Sequence, residues 1–329
     1  MRKITMADIA LQTGLSKTTI SRYLNGKYDS MSVQTKKKIA EVIANAGYKP
    51  NQMARNLRLQ KSHLIGVLVS DIQSPFSSIL YSGIIDECER HGYTAILATT
   101  GDNVEKEQRY IESMIAKSVE GLIVNATGEN VEYLAQVNQT LTPIVLADRP
   151  LHGVNCDIVS SNLKQGLNKM LSFAYSKGYT RIALVTLAIG TNQTRRIVRD
   201  VFVAHQVMRG QNATVLEFND KATLCAQCLG FWEAHKGEKI AFLAANGMVL
   251  QYIVAFMKHH NLRIGQDIGV CGVDNWPWME LTGPGMTVLE QPTFEMGKQS
   301  ALCLIERIQG RDKHVEHYLD CKLITRGSL

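Results

Sequence analysis

From residue 63 onward the chain alternates short apolar runs with amphipathic stretches, and this alternation limits the available folds more than any other feature. Apolar runs at 64–69, 95–98, 121–125 and 144–147 are separated by helical spacing at about 77–91, 104–117 and 130–138. The pattern resumes with runs at 158–160, 182–186, 214–218, 240–244 and 268–273. Helical stretches at about 163–177, 194–209, 222–236 and 248–260 lie between them. Apolar strands bounded by helices belong to parallel sheets covered on both faces, because the crossover between parallel neighbours is itself a helix. Two rounds of the pattern predict two similar α/β lobes. The longest runs fall well short of the ~18 apolar residues that a membrane span needs.

The first 62 residues have another texture. They carry twelve basic and three acidic residues, a charge of +9, so the rest of this +6 chain carries −3. A small basic head on a slightly acidic body suggests a polyanion-binding module joined to something else. Residues 5–47 read as three short helices. Gly14 marks a tight turn, Ser16 and Ser32 stand at N-cap positions, and Gly47 ends the third helix. Ile39, Val42, Ile43 and Ala46 fall at helical spacing within that helix. The stretch 52–59, after Pro50, is too brief to hold a helix alone.

Within residues 5–26 the pattern is helix-turn-helix. Ala10, Gly14, Leu15 and Ile20 are small or apolar and let two helices cross closely. The second helix presents Lys17, Thr18, Ser21 and Arg22, residue types that bond to base edges and phosphates in a major groove. A generic three-helix packing module is the alternative, and the charge and the polar helix face weigh against it.

These residues resemble the lactose-repressor (LacI/GalR) family of bacterial transcription regulators, over nearly the whole chain. The resemblance is carried by residues 5–25, by Gly47-Tyr48-Lys49-Pro50-Asn51-Gln52-Met53-Ala54-Arg55-Asn56-Leu57, and by Gly272-Val273-Asp274-Asn275 with Gln291-Pro292. It implies an α/β fold with an N-terminal helix-turn-helix head (1–47) and a hinge (48–62). A two-lobed, periplasmic-binding-protein-like effector and dimerisation domain (63–329) follows. Lobe 1 would take about 63–160 plus 292–320, and lobe 2 about 161–291 plus 321–329. The resemblance further implies that Lys17, Thr18 and Arg22 read bases. The hinge, with Asn51 and Ala54, would become helical in the DNA minor groove, where Leu57 wedges into a base step. Residues 16–32, 125–130 and 283–287 resemble one branch in particular, regulators of ketogluconate or ketodeoxygluconate use.

Two α/β lobes collect polar side chains in the cleft between their strand ends. Asp71, Ser74 and Phe76 follow the first strand, and Asp148 and Arg149 follow the fourth. From the far lobe the resemblance points to Arg196, Arg199, Asn246 and Asp274 as effector contacts. Trp232 and Trp276 are the aromatics placed to stack on a sugar face. Arg195 and Arg196 are adjacent on one helix and cannot both face the cleft, and Arg199 is the arginine expected there. Plainer readings stand beside these. Asp148 and Arg149 can form a structural ion pair, and Trp276 and Trp278 can close a loop beside Pro277.

Three departures from the family lie near this site. Asp200-Val201 stands where Gly-Phe is usual, Ser161-Asn162 where Asp-Asn is usual, and Asn246-Gly247 where Asn-Asp is usual. Loss of two acids with the arginines kept predicts a cleft receptive to an anion.

The expectation is therefore a homodimeric, cytoplasmic DNA-binding regulator, a repressor of carbohydrate genes on a near-palindromic double-stranded operator. Control would come from a small sugar-like effector such as a ketogluconate, with no catalytic residues, cofactor, metal or membrane partner. A stand-alone sugar-binding module and a sugar-modifying enzyme are the alternatives. The basic head speaks against the first, and the lack of a phosphate loop or nucleophile motif against the second. Cys225-x-x-Cys228 and His259-His260 have poor spacing for metal. Seven scattered cysteines and the absence of a signal peptide point to a reducing compartment. No heptads follow the last apolar run, so a tetramerising coiled coil is not expected.

Overall fold

The computed structural model describes residues 4–29, 31–48, 61–140 and 142–329. The chain divides into two compact units, Met1–Ser62 and His63–Leu329. Asn51, Ala54 and Leu57, the expected hinge contacts, lie outside the described residues.

The first unit holds α1 (Met6–Thr13), α2 (Lys17–Leu24) and α3 (Val33–Ala46). Each start is fixed by a hydroxyl. Thr5 and Asp8 exchange bonds in a capping box, Ser16 Oγ accepts from Thr19 N at 3.1 Å, and Ser32 Oγ accepts from Thr35 N at 3.2 Å. Gly14 and Gly47 end α1 and α3 with φ of 66° and 59°, a conformation that glycine adopts without strain. Ile9, Ala10, Ile20 and Ile39 form the buried core, with Leu15, Val42 and Ile43 packed against it. At about 1.5–3 kcal/mol for each large buried side chain, so small a core leaves the caps a real share of the stability.

The second unit contains two six-stranded sheets. The first lobe runs β1 (Leu64–Val69), α4 (Pro75–Arg90), β2 (Thr94–Thr99), α5 (Val104–Ala116), β3 (Gly121–Val124), α6 (Val131–Thr140), β4 (Ile144–Ala147) and β5 (Asp157–Ser161). The second runs α7 (Leu163–Ser176), β6 (Arg181–Leu187), α8 (Gln193–Met208), β7 (Thr214–Phe218), α9 (Lys221–Ala234), β8 (Ile240–Ala244), α10 (Gly247–His259), β9 (Gly269–Val273), α11 (Pro277–Leu281) and β10 (Thr287–Glu290). Then α12 (Thr293–Ile308) and β11 (Glu316–Leu319) return to the first lobe, and β12 (Lys322–Ile324) to the second. The strand orders match: β11-β5-β4-β3-β1-β2 and β12-β10-β9-β8-β6-β7. Only the outer strands differ in sense, β11 lying parallel to β5 and β12 antiparallel to β10.

Each sheet has a separate apolar cluster on either face, the burial that parallel strands require. α12 anchors the returning chain in the first lobe by near backbone contact with α4. A Cβ on Gly83 would lie 2.1 Å from Phe294 O, and one on Gly297 2.1 Å from Leu80 O.

Three crossovers join the lobes, and side chains tie them to one another. Ser161 Oγ donates to Gln291 Oε1 at 2.6 Å, and Asn162 Nδ2 donates to Asp320 Oδ1 at 3.2 Å. No helix among the described residues is long and apolar enough to cross a membrane.

Candidate functional site

On the first unit, α2 exposes Lys17, Thr18 and Arg22, while Ile20 is fully buried beneath them. Ser21 is half-buried, and its carbonyl accepts from Asn25 Nδ2 at 2.7 Å. One helix face thus presents two cations and two hydroxyls, a surface suited to phosphate and base-edge contacts.

In the second unit the C-terminal ends of both sheets face a cavity of about 510 Å³. Of the residues expected there, Asp71, Ser74, Phe76, Asp148, Arg149, Asn246, Asp274 and Trp276 all line it. Their chemistry is unequal. Asn246 caps α10 by accepting from Val249 N at 2.9 Å, so its side-chain oxygen is already engaged. Asp274 is engaged on both oxygens, because Gly247 N donates to its Oδ2 at 3.0 Å and Gln291 Nε2 to its Oδ1 at 2.8 Å. Trp276 is buried, its ring lying over Gly247, where a Cβ would come within 2.7 Å of ring carbons. The glycine in place of an acid at 247 therefore makes room for the indole.

Asp148 is the open carboxylate. Its Oδ2 accepts from Asn125 Nδ2 at 3.2 Å and Thr194 Oγ1 at 3.4 Å, whereas its buried Oδ1 has no protein partner. Burial pushes its pKa up to about 6, Arg149 and its donors oppose the rise, and the charge of Asp274 adds to it. Burial likewise raises Asp274. The structural ion pair that Arg149 makes is with Asp102, not with Asp148: Arg149 Nη1 donates to Asp102 Oδ1 at 2.6 Å and to Ala126 O at 3.0 Å.

Arg196 and Arg199 are not in this cavity, a correction to the expectation. They line a separate groove of about 600 Å³ with His152, Gln193 and Glu217. There Arg196 Nε donates to Gly190 O at 2.8 Å and Arg199 pairs with Asp200 at 2.6 Å. Arg195 takes the cleft position instead, with Nη1 on Ala188 O at 2.7 Å and Nη2 3.8 Å from Asp102 Oδ2. The reason is helix rotation. The buried strip of α8 runs through Val198, Val201, Phe202 and His205, and one turn back it reaches 194 and 195 rather than 196 or 199. That strip was readable in the sequence.

Trp232 is a second correction. It packs half-buried against the second lobe's core with Lys236 Nζ 4.9 Å from its ring, and it does not line the cavity. Cys228 is fully buried in that core and its thiol is pushed up to about 12, which makes it a poor ligand and nucleophile. Sequence reasoning also missed Thr194 in the first turn of α8 and Asp102, Asn125 and Gln291, polar residues of loops and crossovers that no periodicity marks.

Contacts across the cleft extend beyond the cavity. Thr191 Oγ1 of the second lobe donates to Glu129 Oε1 at 3.0 Å in the loop after β3. That loop is held by the buried Glu107 carboxylate, which accepts from Thr127 N at 2.7 Å and Asn130 Nδ2 at 3.2 Å.

Comparison with known proteins places both units. Residues 5–51 match the family described as bacterial regulatory proteins, lacI family, and residues 172–329 match a periplasmic binding protein-like domain. The chain is 37% identical to the HTH-type transcriptional regulator KdgR of Bacillus subtilis, over 99% of this chain and 97% of that one. It is 32% identical to the HTH-type transcriptional regulator PtxS of Pseudomonas putida, over 99% and 96%. Among solved structures, the Lac repressor dimer bound to operator and the anti-inducer ONPF superposes with a TM-score of 0.88 at 21% identity, covering 99% of both chains. At that identity the likeness speaks for the fold.

Proposed function

Since the chain belongs to the lacI family of bacterial regulatory proteins, it is a DNA-binding, sugar-responsive transcriptional regulator and not an enzyme, and we propose that its effector is a small sugar acid such as a ketogluconate. One observation carries this reading. Arg149 from the first lobe and Arg195 from the second converge on one side of the cavity, and each keeps a buried Nε without a protein partner. A guanidinium fork matches a carboxylate with two charge-assisted bonds, which a neutral sugar cannot supply. Beside them, the buried Asp148 Oδ1 lacks a protein partner and would accept from a sugar hydroxyl, and Phe76 and Trp276 provide apolar wall.

In this reading the head reads a near-palindromic operator through Lys17, Thr18, Ser21 and Arg22, with Asn51, Ala54 and Leu57 as minor-groove contacts. A homodimer fits such an operator, as in the solved Lac repressor dimer. The chain acts as a repressor in the cytoplasm. A ligand that binds the closed cleft better than the open one shifts the lobes by that difference in affinity, and the shift is felt at the hinge that precedes His63. Calorimetry on the full-length protein with 2-keto-D-gluconate and with a neutral ketohexose tests the effector. Preference for the acid supports the reading, and equal affinities overturn it.

A further inference from the structure

Asp102 stands where an anion would. It lies in the loop after β2 with a left-handed backbone, φ 52°. The loop is tied to the end of β1, since Thr100 N donates to Val69 O at 2.9 Å and Gly101 N to Ser70 O at 2.7 Å. From there its carboxylate meets both cleft arginines, Arg149 at 2.6 Å and Arg195 at 3.8 Å. The two arginines are the fixed members. Ala126 O holds one guanidinium and Ala188 O the other, and their side chains are 8% and 21% exposed. Asp102, on a surface loop, is 39% exposed. The anion is therefore the member of the trio free to leave.

The arrangement also needs an anion. Burial depresses the Arg195 pKa, Asp102 opposes that fall, and the like charge of Arg149 adds to it. The bond to Arg149 is short and charge-assisted, whereas 3.8 Å to Arg195 is too long for a hydrogen bond. Arg195 is thus incompletely satisfied, and it belongs to the lobe opposite the carboxylate.

We propose that Asp102 is a resident counter-ion occupying the carboxylate seat between Arg149 and Arg195, and that an anionic effector enters by displacing it from Arg195. Asp102 is then a specificity-determining residue. A neutral ligand leaves the internal pair in place and gains nothing from the arginines. An anionic ligand exchanges one carboxylate for another and closes two bonds on a guanidinium whose other contacts are the Ala188 carbonyl and one distant carboxylate. The choice of effector rests on the sugar-acid reading above, but the seat itself does not.

The test uses the full-length chain and Asp102→Asn, which removes the charge, keeps the side-chain shape and tolerates the left-handed backbone. The first probe is inorganic sulfate, titrated against chloride at constant ionic strength and read by thermal shift. The wild type, with its seat filled, should show no saturable response. Asp102→Asn should show one, and Asp102→Asn with Arg195→Ala should lose it. Identical sulfate responses in the wild type and Asp102→Asn overturn the proposal. The second probe is 2-keto-D-gluconate by calorimetry, where Asp102→Asn should bind about ten-fold more tightly than the wild type. Equal or weaker binding would make Asp102 a support for Arg149 and overturn the displacement. If neither protein binds the sugar acid while the sulfate contrast holds, the sugar-acid reading falls and the seat stands.

Discussion

Asp148 and Asp274 occupy the same station in the two lobes. Each is the first residue past the third strand of its sheet, β4 in one order and β9 in the other. Each donates its backbone N–H to the neighbouring strand, to Val159 O at 2.8 Å and Leu289 O at 2.9 Å. Each has a left-handed backbone, φ 72° and 77°, which aspartate tolerates better than most residues. They differ in completion. Asp274 has both oxygens bonded within the protein, whereas Asp148 has one oxygen bare. One carboxylate braces the crossovers, and the other leaves a buried oxygen without a partner.

That difference gives a pH signature. Asp148 is raised to about 6 in the folded chain, against about 3.9 for an unfolded aspartate. The folded state therefore binds this proton more tightly, and stability falls as pH rises from about 4 to 6 before levelling off. A shift of roughly two units corresponds to about 3 kcal/mol. Asp148→Asn, neutral throughout, should melt above the wild type at pH 7.5 and level with it near pH 4. Melting curves across that range decide it, because a difference that does not vary with pH would exclude ionisation of Asp148 as its source.

Much of this could be read from the sequence, for definite reasons. Strands buried on both faces announce themselves as apolar runs, and the caps at Ser16, Ser32 and Gly47 are local chemistry. Asp71 and Asp148 were visible as polar residues just beyond strand ends, and Asp274 through the family resemblance. The readable pattern stopped at residue 273, since β10, β11 and β12 are only three or four residues long and β11 alternates exposed with half-buried positions. Arg195 was lost because the expectation fell on Arg199, one turn further along α8 and about 40° round it. Asp102 was invisible for another reason, because its partners lie 47 and 93 positions away in the chain.

Gly247 and Trp276 should behave as a coupled pair. A methyl at 247 would meet the indole at 2.7 Å in a fully buried setting, so Gly247→Ala should cost about 1–3 kcal/mol. In a Trp276→Ala background the same substitution should cost much less. A double-mutant cycle by denaturant unfolding reads the coupling, and strictly additive effects would mean that the contact has no energetic weight.

The two arginine faces of α8 should separate cleanly. Arg195→Ala removes the second lobe's guanidinium from the cavity and should weaken sugar-acid binding at least ten-fold, an order of magnitude suited to a charge-assisted pair. Arg199→Ala acts in the other groove, on an ion pair with Asp200 that is 40% and 64% exposed, and should leave effector affinity unchanged. The reverse ranking by calorimetry would restore Arg199 to the cleft.

The head offers a test that separates contact from folding. Arg22 is exposed on α2 and Ile20 is fully buried beneath it, two residues earlier. Arg22→Ala should cost about 1–3 kcal/mol in operator affinity if its contact is bidentate to a base, and it should relax specificity at that position. It should leave the helical signal of the head intact. If Lys17 contacts a phosphate rather than a base, Lys17→Ala should weaken all sequences more uniformly and lower the salt slope by about one. Ile20→Ala should remove binding by another route, since losing about 2–5 kcal/mol from a core of four buried residues unfolds so small a unit. Footprinting across a salt series, with amide exchange in residues 5–47, distinguishes the three variants. An Arg22→Ala protein that footprints normally would remove α2 as the reading helix, whatever became of the other two.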